Sequence, residues 1–389
     1  MDITLQPGKL SGIVSAPPSK SMAHRLLICA AFANKPTELA CPETSADIEA
    51  TAEALHQICH AVVRTDYGYD ICPYQYETDP GLESVYLRCR ESGSTLRFLL
   101  PIVGALGMDA VFHMEGRLPQ RPLSPLWEEM ERMGCSLSHP TADTIRCQGK
   151  LRPGAYQMDG YVSSQFISGL MMALPLIDGE TSLEIIGNVE SKPYIEMTRY
   201  VLDLFQNGYP ERIEVEGDWS SAAFWLAAHA LGNDLTVTNL NCDSVQGDKA
   251  VGEILSHLHE NITLSAADIP DLVPILSVVA AANRGATFTD IARLRLKESD
   301  RVAAIIAMLE SLGGKAEATE NTLTIHPATL TGGVVHSFGD HRIAMSAAIA
   351  ATICTHPVTI LGAECVTKSY PKFWDDYHIL GGQYEKQLR

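Results

Sequence analysis

The sequence predicts an α/β protein built as two similar domains of three repeated units each. Two observations carry that expectation. Six helix-like runs are apolar almost all round and begin with a small, polar or glycine cluster, and short motifs in the two halves match at a constant spacing. The runs start near Lys20 (SKSMAHRLLICAAFA), Ser92 (SGSTLRFLLPIVGAL), Ser163 (SSQFISGLMMAL), Ser220 (SSAAFWLAAHAL), Asp271 (DLVPILSVVAA) and His341 (HRIAMSAAIAATI). Between them lie amphipathic segments with charged faces, Asp47–His60, Leu126–Met133, Met197–Phe205 and Val302–Leu312, which read as surface helices. Short alternating runs such as Thr322–His326 (TLTIH) read as strands.

The repeat is visible in the spacing itself. Thr144-Ile145-Arg146-Cys147 and Thr322-Leu323-Thr324-Ile325 stand 178 residues apart, and so do Arg117-Leu118 and Arg295-Leu296. Ser191-Lys192-Pro193-Tyr194 resembles Lys368-Ser369-Tyr370-Pro371 at nearly the same offset. A chain of 389 residues is long enough for two domains that each bury a core.

Composition narrows the function. The balance is globular, 46% hydrophobic and 20% charged, with a net charge of −18. An acidic chain is a poor non-specific partner for nucleic acid, whose binding draws on Lys and Arg, and for an anionic membrane. Net charge leaves room for a local basic pocket. The apolar stretches Phe98–Met108 and Ile167–Ile177 are too short to span a bilayer, and MDITLQPGKL lacks the basic and apolar regions of a secretory signal. Ten cysteines are scattered from Cys29 to Cys365 without a C-x-x-C pair, and several, such as Cys29 and Cys354, sit in apolar runs. The expectation is a cytoplasmic protein without structural disulfides.

A buried helix that opens on Ser, Thr, Gly or Lys presents free N–H groups and a positive dipole end. One such start reads as an N-cap; six of them suit a ligand with several negative groups. The cations agree. Lys20 and Arg25 flank the first run, Arg97 follows the second, and Arg121 lies in GRLPQRPLSPL. Lys297 and Arg301 bracket KESDR, Arg342 follows Asp340-His341, and Lys368 lies in TKSYP. Singly, each reads as a surface charge or a structural pair; recurring at element boundaries, they point to a shared anion site. Asp271 and Glu298 stand among them. Asp271 reads as a helix cap or a proton-transfer group, Glu298 as a partner of Arg301 or a proton-transfer group, and position alone leaves both open.

Together, PPSKSMAHR, ESGSTLR, RLPQRP, SSQFISGLMMALPL, SKPY, EGDWSSA, LRLKESDR, GDHRIAM and TKSYPKFW resemble the enolpyruvyl transferases, and among them the branch that acts on shikimate 3-phosphate. The resemblance runs from Ser15 to Trp374. It implies two domains, each an inside-out α/β barrel of three βαβαββ units. One domain would hold residues 1–16 with 216–389 and the other residues 17–215, with the active site in the interdomain cleft and Lys20 near the hinge. It implies transfer of the enolpyruvyl group of phosphoenolpyruvate to the 5-hydroxyl of shikimate 3-phosphate. No cofactor or metal is implied, no macromolecular partner, and a monomer is expected.

Residue by residue, the resemblance places Lys20, Ser21, Arg25, Ser163, Ser164, Gln165, Ser191 and Tyr194 on shikimate 3-phosphate. Lys20, Gly93, Arg121, Gln165, Arg301, Arg342 and Lys368 would line the phosphoenolpyruvate site. Asp271 would deprotonate the 5-hydroxyl, Lys297 would sit beside the ring, and Glu298 would shuttle the methylene proton; Lys20 joins them as a catalytic group.

The chain departs from the family pattern at four places. Glu91-Ser92-Gly93-Ser94 stands where Asn-x-Gly-Thr is common, which calls for a cationic partner such as Arg97. His24 replaces a common Asn, and Phe98 stands where some members have Pro, which leaves sensitivity to glyphosate unread. The connector between Phe205 and Glu216 is short, which predicts that one of the six units is truncated. Three rivals are weaker. The related transferase acting on UDP-N-acetylglucosamine carries a reactive Cys in the loop here spanning Glu115–Pro122, which has none, and Cys135 lies beyond the next helix. A non-catalytic anion-binding protein would not keep both Asp271 and Glu298. An enzyme of nucleic-acid ends would need a nucleotidyl-accepting His, for which only His341 offers, and a basic path that the charge of −18 argues against.

Overall fold

The computed structural model describes residues 1–59, 62–73, 84–208 and 210–387. The chain opens with β1 (Asp2–Leu5) and β2 (Ser11–Ser15), then α1 (Lys20–Ala31), β3 (Thr37–Ala40), α2 (Ala46–Cys59), β4 (Val62–Arg64) and β5 (Gly68–Ile71). Next come β6 (Val85–Arg90), α3 (Gly93–Leu106), β7 (Ala110–Met114), α4 (Leu126–Arg132), β8 (Cys135–Ser138) and β9 (Thr144–Gly149). They are followed by β10 (Gly154–Asp159), α5 (Ser164–Ala173), β11 (Thr181–Ile186), α6 (Lys192–Asn207) and β12 (Arg212–Glu214). The second half holds α7 (Trp219–Ala230), β13 (Asp234–Thr238), α8 (Val251–His257), β14 (Ile262–Ser265), α9 (Val273–Ala282), β15 (Ala286–Thr289), α10 (Arg301–Ser311), β16 (Lys315–Ala318) and β17 (Thr322–His326). It ends with β18 (Gly333–His336), α11 (His341–Ala351), β19 (Val358–Leu361), α12 (Phe373–Ile379) and β20 (Tyr384–Gln387). His60, the last residue of the first expected surface helix, lies outside the described residues.

Contacts divide the chain into two units, one of Met1–Pro17 with Glu216–Arg389 and one of Pro18–Val215. Each holds two four-stranded sheets and one two-stranded sheet among the described residues, all open. The repeat is plainest in β6-β7-β9-β8 and β14-β15-β17-β16, where two parallel strands joined by a buried helix receive an antiparallel hairpin. Thr144 and Thr322 open the equivalent strands β9 and β17, so the spacing of 178 is a structural repeat. Sheets β12-β3-β5-β4 and β18-β19-β1-β20 have the same order, but β12 and β1 arrive from a distant part of the chain.

The two-stranded sheets, β10 with β11 and β2 with β13, are parallel pairs without the hairpin. The short connector after α6 leads straight to β12, which pairs with β3, so the expected truncation is there. A second truncation stands in the other half. α8 ends at His257, and β14 starts at Ile262 in the next sheet. The reading of one shortened unit is therefore corrected to one in each half. The sequence hid it because Ile262–Ser265 reads as any strand and does not announce which sheet it joins.

The six buried helices are α1, α3, α5, α7, α9 and α11. In the unit of both termini, α7, α9 and α11 pack on one another. Their cores, such as Trp225, Leu276 and Ile343, are fully buried, and removing that apolar area from water is the main stabilising contribution. Gly169 in α5 is placed for close packing, since a Cβ there would fall 2.3 Å from the Arg97 carbonyl oxygen in α3. The helix starts are more occupied than expected of free anion sites. Ser92, Ser163, Asp218 and Asp340 cap α3, α5, α7 and α11 with their side chains. At α7 and α11 the negative charge that a helix N-terminus favours is thus a protein carboxylate.

Candidate active site

In the unit of residues 18–215, the expected residues gather at the starts of α1, α3, α5 and α6. Lys20 opens α1 and its Nζ lies 2.9 Å from Asp47 Oδ2 of α2. Arg25, one turn on, is 2% exposed. Its Nε donates to Thr198 Oγ1 (2.7 Å), Nη1 to the Ser21 carbonyl (2.7 Å), and Nη2 to the Tyr194 carbonyl (2.9 Å) and Ser168 Oγ (3.3 Å). Its guanidinium also lies 5.0 Å from the Phe98 ring. Burial lowers its pKa to about 10, still far above neutrality. Arg25 thus ties Ser21 and Tyr194 together. Ser191, 1% exposed, begins α6 in the left-handed region at φ 55°, and its carbonyl accepts from Tyr194 N.

Gln165 links α5 to α3. Its N–H donates to Ser163 Oγ (3.3 Å), its Nε2 to Ser94 Oγ (3.0 Å), and its Oε1 accepts from Arg97 Nη1 (2.7 Å). Ser164 beside it is buried. Gly93 opens α3 against two guanidinium groups: a Cβ there would lie 2.7 Å from Arg121 Nη1 and 3.1 Å from Arg97 Nη1. Arg121 Nε is buried without a hydrogen-bond partner among the described residues. Two cations at a helix N-terminus form a place for an anion. Arg97 reaches Gln165 and the Pro122 carbonyl, and the Glu91 carboxylate packs against Gly116. His24 is fully buried and bonded to Thr51 (2.7 Å), and burial, then Lys20 and Arg25, hold its pKa well below the usual range, so it is neutral.

In the other unit the expected residues form one cluster. Asp271, just before α9, lies 2.5 Å from Arg301 Nη1, 3.4 Å from Arg342 Nη2 and 3.7 Å from Lys297 Nζ. Arg301 is 1% exposed, and its fork also reaches Glu298 Oε2 (2.6 Å) and Asp340 Oδ2 (2.9 Å). Asp340 caps α11 by accepting from Arg342 N (3.0 Å) and takes a hydrogen bond from Ser299 Oγ (2.9 Å). The KESDR turn brings Lys297, Glu298 and Arg301 onto one side of α10's start. Lys368 Nζ donates to the Gly339 carbonyl (2.9 Å) ahead of α11.

The electrostatics follow. Burial raises the Asp271 pKa, but Arg342, Lys297 and Arg301 outweigh it and hold the group well below the usual carboxylate range. Burial lowers Lys297 to about 8, against the pull of Asp271. Burial also disfavours charge on Arg301, yet Asp340, Glu298 and Asp271 keep it firmly protonated. Of the open readings, Glu298 as a partner of Arg301 is observed, whereas the cap position of α9 is held by Leu272, so the reading of Asp271 as its cap is corrected to an ion-pair partner. Each is an ion-pair partner of Arg301, in a cluster able to move protons.

The sequence gives no role to Asp47, Thr198 or Asp340, and it offers Arg97 as a partner for Glu91 rather than for Gln165. Asp340 sat in view inside GDHR. Asp47 looked like an ordinary acidic residue in the first turn of a helix, and Thr198 offers no signal at all.

The sequence profile of EPSP synthase (3-phosphoshikimate 1-carboxyvinyltransferase) matches residues 5–377. A 3-phosphoshikimate 1-carboxyvinyltransferase of Clostridium acetobutylicum is 37% identical over 417 residues, covering 98% of this chain and 97% of that protein. One from Clostridium kluyveri is 37% identical over 421 residues, covering 99% and 98%. The solved EPSP synthase of Acinetobacter baumannii superposes with a TM-score of 0.79 at 23% identity, covering 99% of this chain and 100% of that one. The enolpyruvyl transferase NikO of Streptomyces tendae gives 0.72 at 16% identity, covering 100% and 99%.

Proposed function

The chain belongs to the EPSP synthase (3-phosphoshikimate 1-carboxyvinyltransferase) family, and from that membership we propose how its residues divide the work. It is an enzyme that transfers the enolpyruvyl group of phosphoenolpyruvate to shikimate 3-phosphate, in aromatic amino-acid biosynthesis. Lys20, Ser21, Ser163, Ser164, Gln165, Ser191 and Tyr194 receive shikimate 3-phosphate, with Arg25 holding Ser21 and Tyr194 in place. Gly93, Arg121 and Gln165, together with Lys20, take phosphoenolpyruvate. Arg301, Arg342 and Lys368 supply cations for phosphoenolpyruvate, and Lys297 and Asp271 serve the ring of shikimate 3-phosphate.

The observation that carries this is Asp271 ringed by Lys297, Arg301 and Arg342, with Glu298 on the same guanidinium as Asp271. The 5-hydroxyl oxygen bonds to C2 of the enol while its proton goes to Asp271, and C3 takes a proton from Glu298. The C2–oxygen bond to phosphate then breaks, the departing phosphate leaves with its electron pair and takes the proton held on Asp271, and Glu298 recovers a methyl proton, which returns both carboxyl groups to their starting states. Asp271 is a weak base while three cations face it. An anionic substrate that draws Arg342 away raises its proton affinity at the moment both substrates are bound.

Changing Glu298 to Gln tests the assignment. Binding of both substrates stays near normal, and turnover falls by about 10²–10⁴. Near-normal turnover in that variant removes Glu298 from the mechanism. A monomer in the cytoplasm belongs to the same proposal. The cytoplasmic part is supported by the scattered, mostly buried free thiols.

A further inference from the structure

One buried carboxyl in the Asp271 unit has no place in this mechanism. Asp248 lies in the turn Gly247–Ala250 ahead of α8 and is 3% exposed. Its Oδ2 takes a hydrogen bond from Ser220 Oγ in the first turn of α7, and its Oδ1 is buried with no hydrogen-bond partner among the described residues. The carbonyl of that same Ser220 accepts from Arg342 Nη1 (3.2 Å), and Arg342 Nη2 reaches Asp271 (3.4 Å). Asp248, Ser220, Arg342 and Asp271 therefore form one chain of contacts.

Charge counting gives the chain a direction. The cations near this end of the unit are Lys297, Arg301 and Arg342, and the acidic groups already facing them are Asp271, Glu298 and Asp340. Asp218, the cap of α7, adds another carboxyl on the Asp248 side. Lys249, in the turn of Asp248, points elsewhere, to the Cys242 carbonyl (3.0 Å). An ionised Asp248 adds a carboxylate with no cation of its own, so it competes for Arg342. Burial first, then the Asp271 charge, raise its pKa to about 7, against Arg342 and the Ser220 hydroxyl. An ordinary carboxyl does not change charge there.

We propose that Asp248 is a positioning residue for Arg342: protonated, it leaves the guanidinium to Asp271 and an incoming anion, and ionised, it holds the guanidinium back and weakens anion binding. The inference rests on the reading that Arg342 binds phosphoenolpyruvate. It makes the affinity for that substrate depend on a proton held at a site the substrate does not touch.

The test measures kcat and the KM for phosphoenolpyruvate in wild type, Asp248→Asn and Ser220→Ala, at saturating shikimate 3-phosphate, from about pH 6 to about pH 9. The Asn variant mimics the protonated carboxyl. The ratio of wild-type KM to Asp248→Asn KM is flat at the acid end and climbs above about pH 7, by up to about tenfold per pH unit. The kcat ratio stays level, which a merely structural defect would not produce. Ser220→Ala removes a donor that favours the ionised form, so its break moves to higher pH. Should Asp248→Asn fail to fold, the Ser220→Ala shift decides. A flat KM ratio, or an unmoved break in Ser220→Ala, overturns the inference while leaving the activity standing. No turnover of shikimate 3-phosphate by wild type overturns the premise as well.

Discussion

Arg301 offers the sharpest test of how the Asp271 cluster is held. Replacing it by Lys keeps the charge and loses the fork. The guanidinium makes three charge-assisted hydrogen bonds, to Asp271, Glu298 and Asp340, from a side chain that is 1% exposed. One ammonium group cannot reach all three at once. Losing two such bonds, each worth roughly 1.5–3 kcal/mol, and discounting the one to partly exposed Glu298, gives a loss of about 3 kcal/mol. Arg301→Met leaves Asp340 and Asp271 short of a buried cation and costs about 4 kcal/mol. Denaturant unfolding read by tryptophan fluorescence reports this directly, because Trp219, Trp225 and Trp374 lie in the same unit as Arg301, and Trp127 lies in the other. A Lys variant within about 0.5 kcal/mol of wild type would refute the reasoning, since an interchangeable cation means that the fork is not what orders the three carboxylates.

Two further outcomes follow from the same structure. Gly169→Ala puts a Cβ 2.3 Å from the Arg97 carbonyl, backbone that cannot swing aside, and destabilises the unit of residues 18–215 by about 2 kcal/mol, seen as an earlier transition by circular dichroism. Lys297, lowered to about 8, loses its charge as pH rises through that value, so the KM for shikimate 3-phosphate rises on the alkaline side in wild type and not in Lys297→Met. The stability linkage has the opposite sign. A lysine whose folded pKa lies below its unfolded value penalises the fold at lower pH, and that penalty is relieved as pH rises from about 8 towards about 10.4.

Much of the architecture is legible in the sequence because burial writes itself into composition. The runs beginning at Lys20, Ser92 and His341 are apolar on every face, as helices inside a repeat have to be. The spacing of 178 residues survives because Thr144 and Thr322 occupy equivalent strands. The second truncation was invisible because sheet membership is decided by long-range pairing, and Ile262–Ser265 carries no sign that its partner is β15. At the site, the residue types were readable and their partners were not. Arg25 was expected on substrate, yet its hydrogen bonds go to Ser21, Ser168, Tyr194 and Thr198, which come together only in the fold. Asp218 and Asp340 lay inside quoted motifs, but only the capped helices show that two expected anion sites already hold carboxylates.

Phosphate release from phosphoenolpyruvate, compared with shikimate 3-phosphate and with UDP-N-acetylglucosamine as acceptor, tests the account most directly. The account predicts release with shikimate 3-phosphate, none with the nucleotide sugar, and loss of the first signal in Glu298→Gln. No release with shikimate 3-phosphate, or release with the nucleotide sugar alone, contradicts it.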